Sequence, residues 1–473
     1  MCIRDSYNTA CGYGSLGANT TGSSNTAVGL NCMVSNTTAS NNTAMGVSAL
    51  AYNTTGTANT AVGKDALTSN TTADNNTAFG YYALKANTTG GKNTAVGKSA
   101  LTTLTTGNEN TAVGESALLA ATTGYNNVAI GFVAGYAITT GNSNVCVGES
   151  SLASCETGYQ NVAIGHLALN NYTGSANVAV GNQALEDCTT GSSNCCVGHD
   201  AGRDITTGSN NTAVGHAALD ILSTGNYCTA IGNNALGSGT GNSNTAVGQE
   251  CMFDTTGGYQ NTAVGRHALR DNTTGNNNVA IGEDALVNAT SSSNTALGKS
   301  AGGAVTTGGD NTILGYQAGA SMTTCANTVC IGSNADPGNN SNKVMIYNGT
   351  VNANFSGSAS SWTFTSDGRD KTDIVDLDLG LDFIKKIQPR KFKWEFRDEK
   401  RASSWGNGLT KAGFIAQELQ AVLSEANATY TGIVDETDPD NLTVGQTDFI
   451  PMLINAVKEL SAEVEQLKSQ INN

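Results

Sequence analysis

A serine and a lysine five positions apart, Ser366 and Lys371, stand in the run Ser366-Asp367-Gly368-Arg369-Asp370-Lys371. A hydroxyl becomes a nucleophile when a neighbouring base takes its proton, and a lysine can be that base once burial lowers its pKa. The pair is therefore a candidate self-cleaving dyad. Residue types alone fit a blander reading too: a serine capping a turn and a lysine that is a solvated charge. On residue types alone that blander reading is preferred; the run nevertheless stands where a long glycine-rich repeat has ended, a junction at which such a dyad would have a use.

The repeat is built on Asn-Thr-Ala-Val-Gly, whose closing glycines include Gly12, Gly29, Gly46, Gly63, Gly80, Gly97 and Gly114 and continue to Gly315 and Gly332. The period is about 17 residues, with about 20 copies between residues 8 and 336. The residue before the glycine is apolar, as in Val28, Met45, Phe79 and Ile130, and the one before it is small, as in Ala27 and Ala44. Such alternation signals a short strand with valine on one side and alanine on the other. A second segment ends in Ala-Leu (Ala49-Leu50) or Ala-Gly (Ala201-Gly202), and a Thr-Thr-Gly turn follows. Two short strands and two tight turns per coil predict a β-roll or β-solenoid, a rod of order 100 Å at a strand spacing of about 4.8 Å. Asn127-Val128-Ala129-Ile130-Gly131 and Asn161-Val162-Ala163-Ile164-Gly165 resemble the head repeats of trimeric autotransporter adhesins. That resemblance implies a left-handed roll in a trimer, and a single-chain solenoid is the alternative.

Composition agrees with a repetitive shaft. Charged residues make up 13% and aromatics 6% of the 473 residues, with 57 glycines, too few large groups for an ordinary core. Stacked coils need only a few apolar groups each. A net charge of −15 argues against nucleic acid as a partner, and no long apolar run predicts membrane insertion. Residues 1–7 lack a secretory signal's apolar centre and do not match the repeat; they read as a foreign or truncated leader. The 12 cysteines mostly occupy repeat positions, Cys146, Cys196 and Cys330 replacing alanine, and read as small buried hydrophobes in a reducing compartment. Cys155 and Cys188 share a column two coils apart, roughly 10 Å, beyond disulfide reach.

Several shaft columns invite functional readings. Threonines at 26, 43, 60, 77, 94 and 111 could form an ice-binding face, but a hydroxyl ladder between stacked strands is the preferred reading. Asparagines at 25, 42 and 59 are expected to form an amide ladder. His199 and His216 fall on adjacent coils and could hold a metal; exposed variable positions are the preferred reading, so no metal and no cofactor is predicted. Gly97-Lys98-Ser99 lacks the first glycine of a phosphate loop, Lys92 standing in its place.

Beyond the repeat the composition changes, with all 4 prolines and all 3 tryptophans there. Residues 337–365 read as a connector with a terminal strand at Lys343-Val344-Met345-Ile346-Tyr347. From Ser366 the ordered pieces are the dyad run, Leu381-Asp382-Phe383-Ile384, Gln388-Pro389-Arg390-Lys391-Phe392 and Ala412-Gly413-Phe414-Ile415-Ala416-Gln417-Glu418-Leu419. These resemble the C-terminal intramolecular chaperone of phage tailspikes, tail fibres and endosialidases, a self-cleaving serine peptidase family. The resemblance implies that residues 366–473 form a small α+β domain. It further implies that Ser366 attacks the Thr365 carbonyl with Lys371 as base and Asp367 orienting the pair, so that the chain is cut between Thr365 and Ser366.

A closing helix from about Asp448, which is placed as its cap with Pro451 in the first turn, stands on its own physical grounds. Ile450, Leu453, Val457, Leu460, Val464, Leu467 and Ile471 alternate at spacings of three and four, an a/d seam for a coiled coil. The alternative is an amphipathic helix packed on its own domain. Three chains joined at this seam would align three shafts before slow β-coil nucleation. The expected protein is a homotrimeric virion tail fibre, made in the host cytoplasm, whose partner is a host cell-surface receptor or glycan. A bacterial surface adhesin and a glycan-degrading spike are the alternatives.

Overall fold

The computed structural model describes residues 2–3, 6–239, 241–349, 352–356, 363–364, 372–393, 410–428, 433–435, 442–445 and 449–471. Contacts divide the chain into two compact units, Met1–Thr365 and Ser366–Asn473.

The first unit is the solenoid. Each coil contributes one three-residue strand, from β2 (Thr9–Cys11) to β21 (Val329–Ile331). The strands stack parallel and in register, Thr26 on Thr43, Ala27 on Ala44, Val28 on Met45. The central alanine points inwards and is fully buried at coil after coil, while the flanking threonine and valine face out. An antiparallel pair, β1 (Cys2–Ile3) on β2, lies at one end. At the other, β22 (Lys343–Tyr347) joins β21 in parallel, and β23 (Asn352–Ser356) and β24 (Thr363–Phe364) continue antiparallel. The strand expected within the connector therefore belongs to the stack.

The second strand expected in each coil does not form; that segment is a run of turns. Its cause is a left-handed residue at the end of Ala-Leu: Leu50, Leu67, Leu84 and Leu101 all have φ of 50–51°. A leucine there costs roughly 1–2 kcal/mol in backbone strain, which is offset by burying the side chain completely, worth about 1.5–3 kcal/mol. The Ala-Gly variants occupy the same conformation, Gly135 at φ 60° and Gly202 at 63°. Where glycine removes the leucine, a bulky residue three positions on fills the space: Ile138, Ile205, Val305 and Met322, all buried.

The motif glycine is fixed by both conformation and space. Gly131 has φ of 143°, and a Cβ there would sit 2.6 Å from the Gly148 carbonyl oxygen of the next coil.

The expected amide ladder is present and spans the coil junction. The Asn25 backbone N–H donates to Asn8 Oδ1 at 2.9 Å, and Asn25 Nδ2 donates to the Ala39 carbonyl at 2.8 Å. The pattern repeats along the shaft; where Cys228 breaks it, the Cys228 N–H still donates to Asn211 Oδ1 at 2.9 Å. A second ladder runs through Asn19, Asn36, Asn53, Asn70 and Asn87, each Nδ2 donating to the previous Oδ1. It stops where Leu104 takes the next position, and Asn87 Oδ1 is buried with no hydrogen-bond partner. A further column of threonines, Thr37, Thr54 and Thr71, donates hydroxyls to the next coil's carbonyl at 3.0–3.1 Å.

Nine of the described cysteines sit buried in the core as thiols, while Cys11 is exposed and Cys195 half-buried. Burial pushes Cys32 up to about 11 and Cys188 and Cys251 up to about 12, so thiolate chemistry is suppressed there. Buried Tyr172 lies between Cys155 and Cys188 in their column, its hydroxyl donating to the Ser175 carbonyl at 2.9 Å.

Candidate functional site

The second unit is small and α+β. Helix α1 (Leu381–Lys386) carries Asp382 in its first turn and Lys385 and Lys386 in its last, matching the helix dipole. A hairpin of β25 (Arg390–Lys393) and β26 (Thr410–Gly413) leads into α2 (Ala416–Glu425). Two short strands, β27 (Val434–Asp435) and β28 (Thr443–Val444), precede the closing helix α3 (Ile450–Ile471). Phe383 and Ile387, Leu419 and Leu423, and Phe449 and Met452 close one core. Of these, Phe383 and Leu419 lie in pieces singled out in the sequence, and Phe449 and Met452 lie at the start of the closing helix.

Polar contacts fix the elements. Arg390 donates from Nε and an η nitrogen to the two Glu418 carboxylate oxygens, both at 2.9 Å, tying the hairpin to α2. That fork raises the Arg390 pKa above its ordinary value. Helix α1 lacks a side-chain cap from its own N-terminal residue; instead the Leu381 N–H donates to Glu459 Oε2 of α3 at 2.6 Å. Asn455 Nδ2 donates to the Leu377 and Leu379 carbonyls at 3.1 and 3.2 Å. Sequence reading missed Asn455 and Glu459. Their signal is a four-residue spacing on the helix face beside the seam, in line with Met452 and Ala456.

Helix α3 thus has two distinct faces. Met452, Asn455, Ala456 and Glu459 meet the domain, Met452 and Ala456 being buried. The seam residues Ile450, Leu453, Val457, Leu460, Val464, Leu467 and Ile471 lie between 41 and 82% exposed. Packing of the seam on its own domain is therefore not what the fold does. Leu453 also borders an apolar groove with Ile384, Ile387, Pro389, Phe414 and Phe449. Pro451 falls in the first helical turn, as expected.

Thr365, Ser366, Asp367 and Lys371, together with Asp448, lie outside the described residues. The fold brings α1, the hairpin, α2 and α3 into one unit whose chain begins at Ser366.

On the shaft, the outward strand positions form a continuous, largely aliphatic column. Met45, Phe79, Ile130, Ile164, Ile231, Leu297 and Leu314 are exposed members of it, with half-buried valines between them. The strand threonines line the same outward face. Charged coil positions pair between coils: Lys98 with Glu115 at 2.7 Å, and Lys299 with Glu283 at 2.9 Å. Lys299, then Arg266, hold the Glu283 carboxyl at about 2. Among the described residues no helix is long and apolar enough to cross a membrane.

Residues 366–427 match the family described as "Chaperone of endosialidase". That match starts at Ser366 and runs through α1, the hairpin and α2. No protein of described function and no solved structure is significantly similar to the chain. A β-solenoid shaft followed by a match to the chaperone of endosialidase, an autoproteolytic intramolecular chaperone family, fits a tail fibre with a C-terminal chaperone domain.

Proposed function

We propose that the protein is a virion tail fibre whose C-terminal domain aligns three chains, templates the shaft and then cuts itself off before Ser366. The observation that carries this reading is the exposed seam of α3: seven apolar residues at coiled-coil spacing lie uncovered, although the domain holds the opposite side of the helix's first turns. Exposed apolar stripes of that length serve as contact surfaces. The aliphatic column of the shaft supplies a second in-register surface for the same three-fold assembly, and its outer turns are left for a host receptor or glycan.

In the cleavage step, Lys371 in its uncharged form takes the proton of Ser366 Oγ. The oxygen attacks the Thr365 carbonyl carbon; a C–O ester bond forms and the Thr365–Ser366 C–N bond breaks. The departing Ser366 amine takes up the proton. Water then hydrolyses the ester, leaving a Thr365 carboxylate and restoring the serine hydroxyl. Asp367 orients the pair. Coupling this chemistry to burial of Lys371 in the assembled domain makes cleavage conditional on correct folding.

Intact mass of the recombinant chain, beside Ser366→Ala and Lys371→Ala, tests the proposal. The expected result is a fragment beginning at Ser366 from the wild type and none from either variant. A wild-type chain that stays whole as a trimer removes the peptidase step, and one that stays whole as a monomer removes the assembly role as well.

A further inference from the structure

The coil position directly after the motif glycine carries His199 and His216 on consecutive coils. Their rings lie face to face, with centroids 5.2 Å apart and planes 11° from parallel. Asp200, the next residue after His199, turns its carboxylate into the same place: His199 Nδ1 and Asp200 Oδ2 are 2.8 Å apart. One ligand atom from each of His199, Asp200 and His216 lies within 4.8 Å of the other two.

The surroundings favour a cation. The Arg203 guanidinium is shared among Asp200 at 3.8 Å, Asp204 at 3.1 Å and Asp220 at 3.4 Å. Its contact with Asp200 is to Oδ1, which leaves Oδ2 to the histidines. Asp200 Oδ1 and Asp220 Oδ1 are both buried without a hydrogen-bond partner. Three carboxylates against one guanidinium leave uncompensated negative charge beside two imidazoles, and a buried carboxylate oxygen without a partner is costly.

We propose that His199, Asp200 and His216 form a binding site for a divalent transition ion of the zinc class, clamping two consecutive coils of the shaft. The ion sits between His199 Nδ1 and Asp200 Oδ2, and His216 supplies the third ligand. Two nitrogens and one carboxylate oxygen suit zinc, with water in the fourth position. Tetrahedral bonds of about 2.0–2.2 Å set ligand separations near 3.4 Å. The two rings therefore tilt out of their parallel stack so that one nitrogen lone pair of each points at the ion, a side-chain rotation that their exposure allows. The Asn233 amide, 3.2 Å from His216 Nδ1, holds that ring between the coils. His267 offers no such site: Glu250 at 3.2 Å and Asp284 at 3.1 Å already occupy both ring nitrogens. His166 has only the Asn182 amide at 3.2 Å.

Titration calorimetry of zinc chloride into the full chain tests the site, with His199→Ala, His216→Ala, Asp200→Asn and His166→Ala in parallel. The expected result is one zinc per chain in the wild type and in His166→Ala, and loss of that site in His199→Ala and His216→Ala. Asp200→Asn is expected to weaken binding by at least tenfold. Amide exchange over residues 195–218 should slow with zinc in the wild type and not in His216→Ala. Equal zinc binding by wild type and His199→Ala, or an equal loss in His166→Ala, overturns the assignment.

Discussion

The asparagine ladders show how single residues carry the solenoid. An Asn side chain that spans two coils answers donors and acceptors that a stacked core cannot reach with water, and an unmade partner is expensive. Asn53 sits mid-ladder, donating to Asn36 Oδ1 and accepting from Asn70 Nδ2. Asn53→Leu orphans Asn36 Oδ1 and is expected to destabilise the shaft by about 1–3 kcal/mol. Asn87→Leu orphans Asn70 Oδ1 but deletes the existing orphan at Asn87, so it is expected to be nearly neutral. Denaturant unfolding of the two variants side by side measures the difference; equal losses would mean that the ladder contributes no directional bonding.

At the scale of the coil, the left-handed Gly202 and Ile205 three positions on act as one packing unit, whereas Leu101 with Leu104 and Leu219 with Leu222 bury two large side chains in the same positions. A Cβ on Gly202 would lie 2.7 Å from Cys196 Sγ and 2.9 Å from Ile205 Cδ1. Gly202→Leu is therefore expected to cost about 1–3 kcal/mol through overpacking. Adding Ile205→Ala should recover most of that loss, because Leu118 is followed by a small partner, Ala121, in a coil of the same chain. Ile205→Ala alone should cost about 2–5 kcal/mol as a cavity. Thermal unfolding of the single and double variants gives the coupling; strict additivity would refute the pairing.

For the whole molecule, the decisive surface is the α3 seam. Leu460→Asp with Val464→Asp alters two outward residues and leaves the buried face of Met452 and Ala456 untouched. Sedimentation should report a trimeric wild type and a monomeric variant with the helix content of the domain retained. A variant that sediments as the wild type would move the trimer contact to the shaft's aliphatic column. Loss of the trimer should also abolish release of the fragment beginning at Ser366.

Much of this was legible in the sequence because its signals are local. A 17-residue period, a glycine forced to positive φ, alternation across a three-residue strand and a seam at spacings of three and four each depend on neighbours along the chain. Inward alanines, the first amide ladder and the a/d residues of α3 follow from those signals. The second strand of each coil was misread for the same reason: Ala-Leu looks extended until the core demands that leucine turn inwards through a left-handed residue. Only the tertiary structure decided where the second ladder ends, since Asn87 meets Leu104 across a coil. It alone paired Asp200 with two histidines on successive coils, and set Glu459 over the start of α1, 78 residues away. Those contacts depend on how coils and helices stack in space, a relation that no window of neighbouring residues encodes.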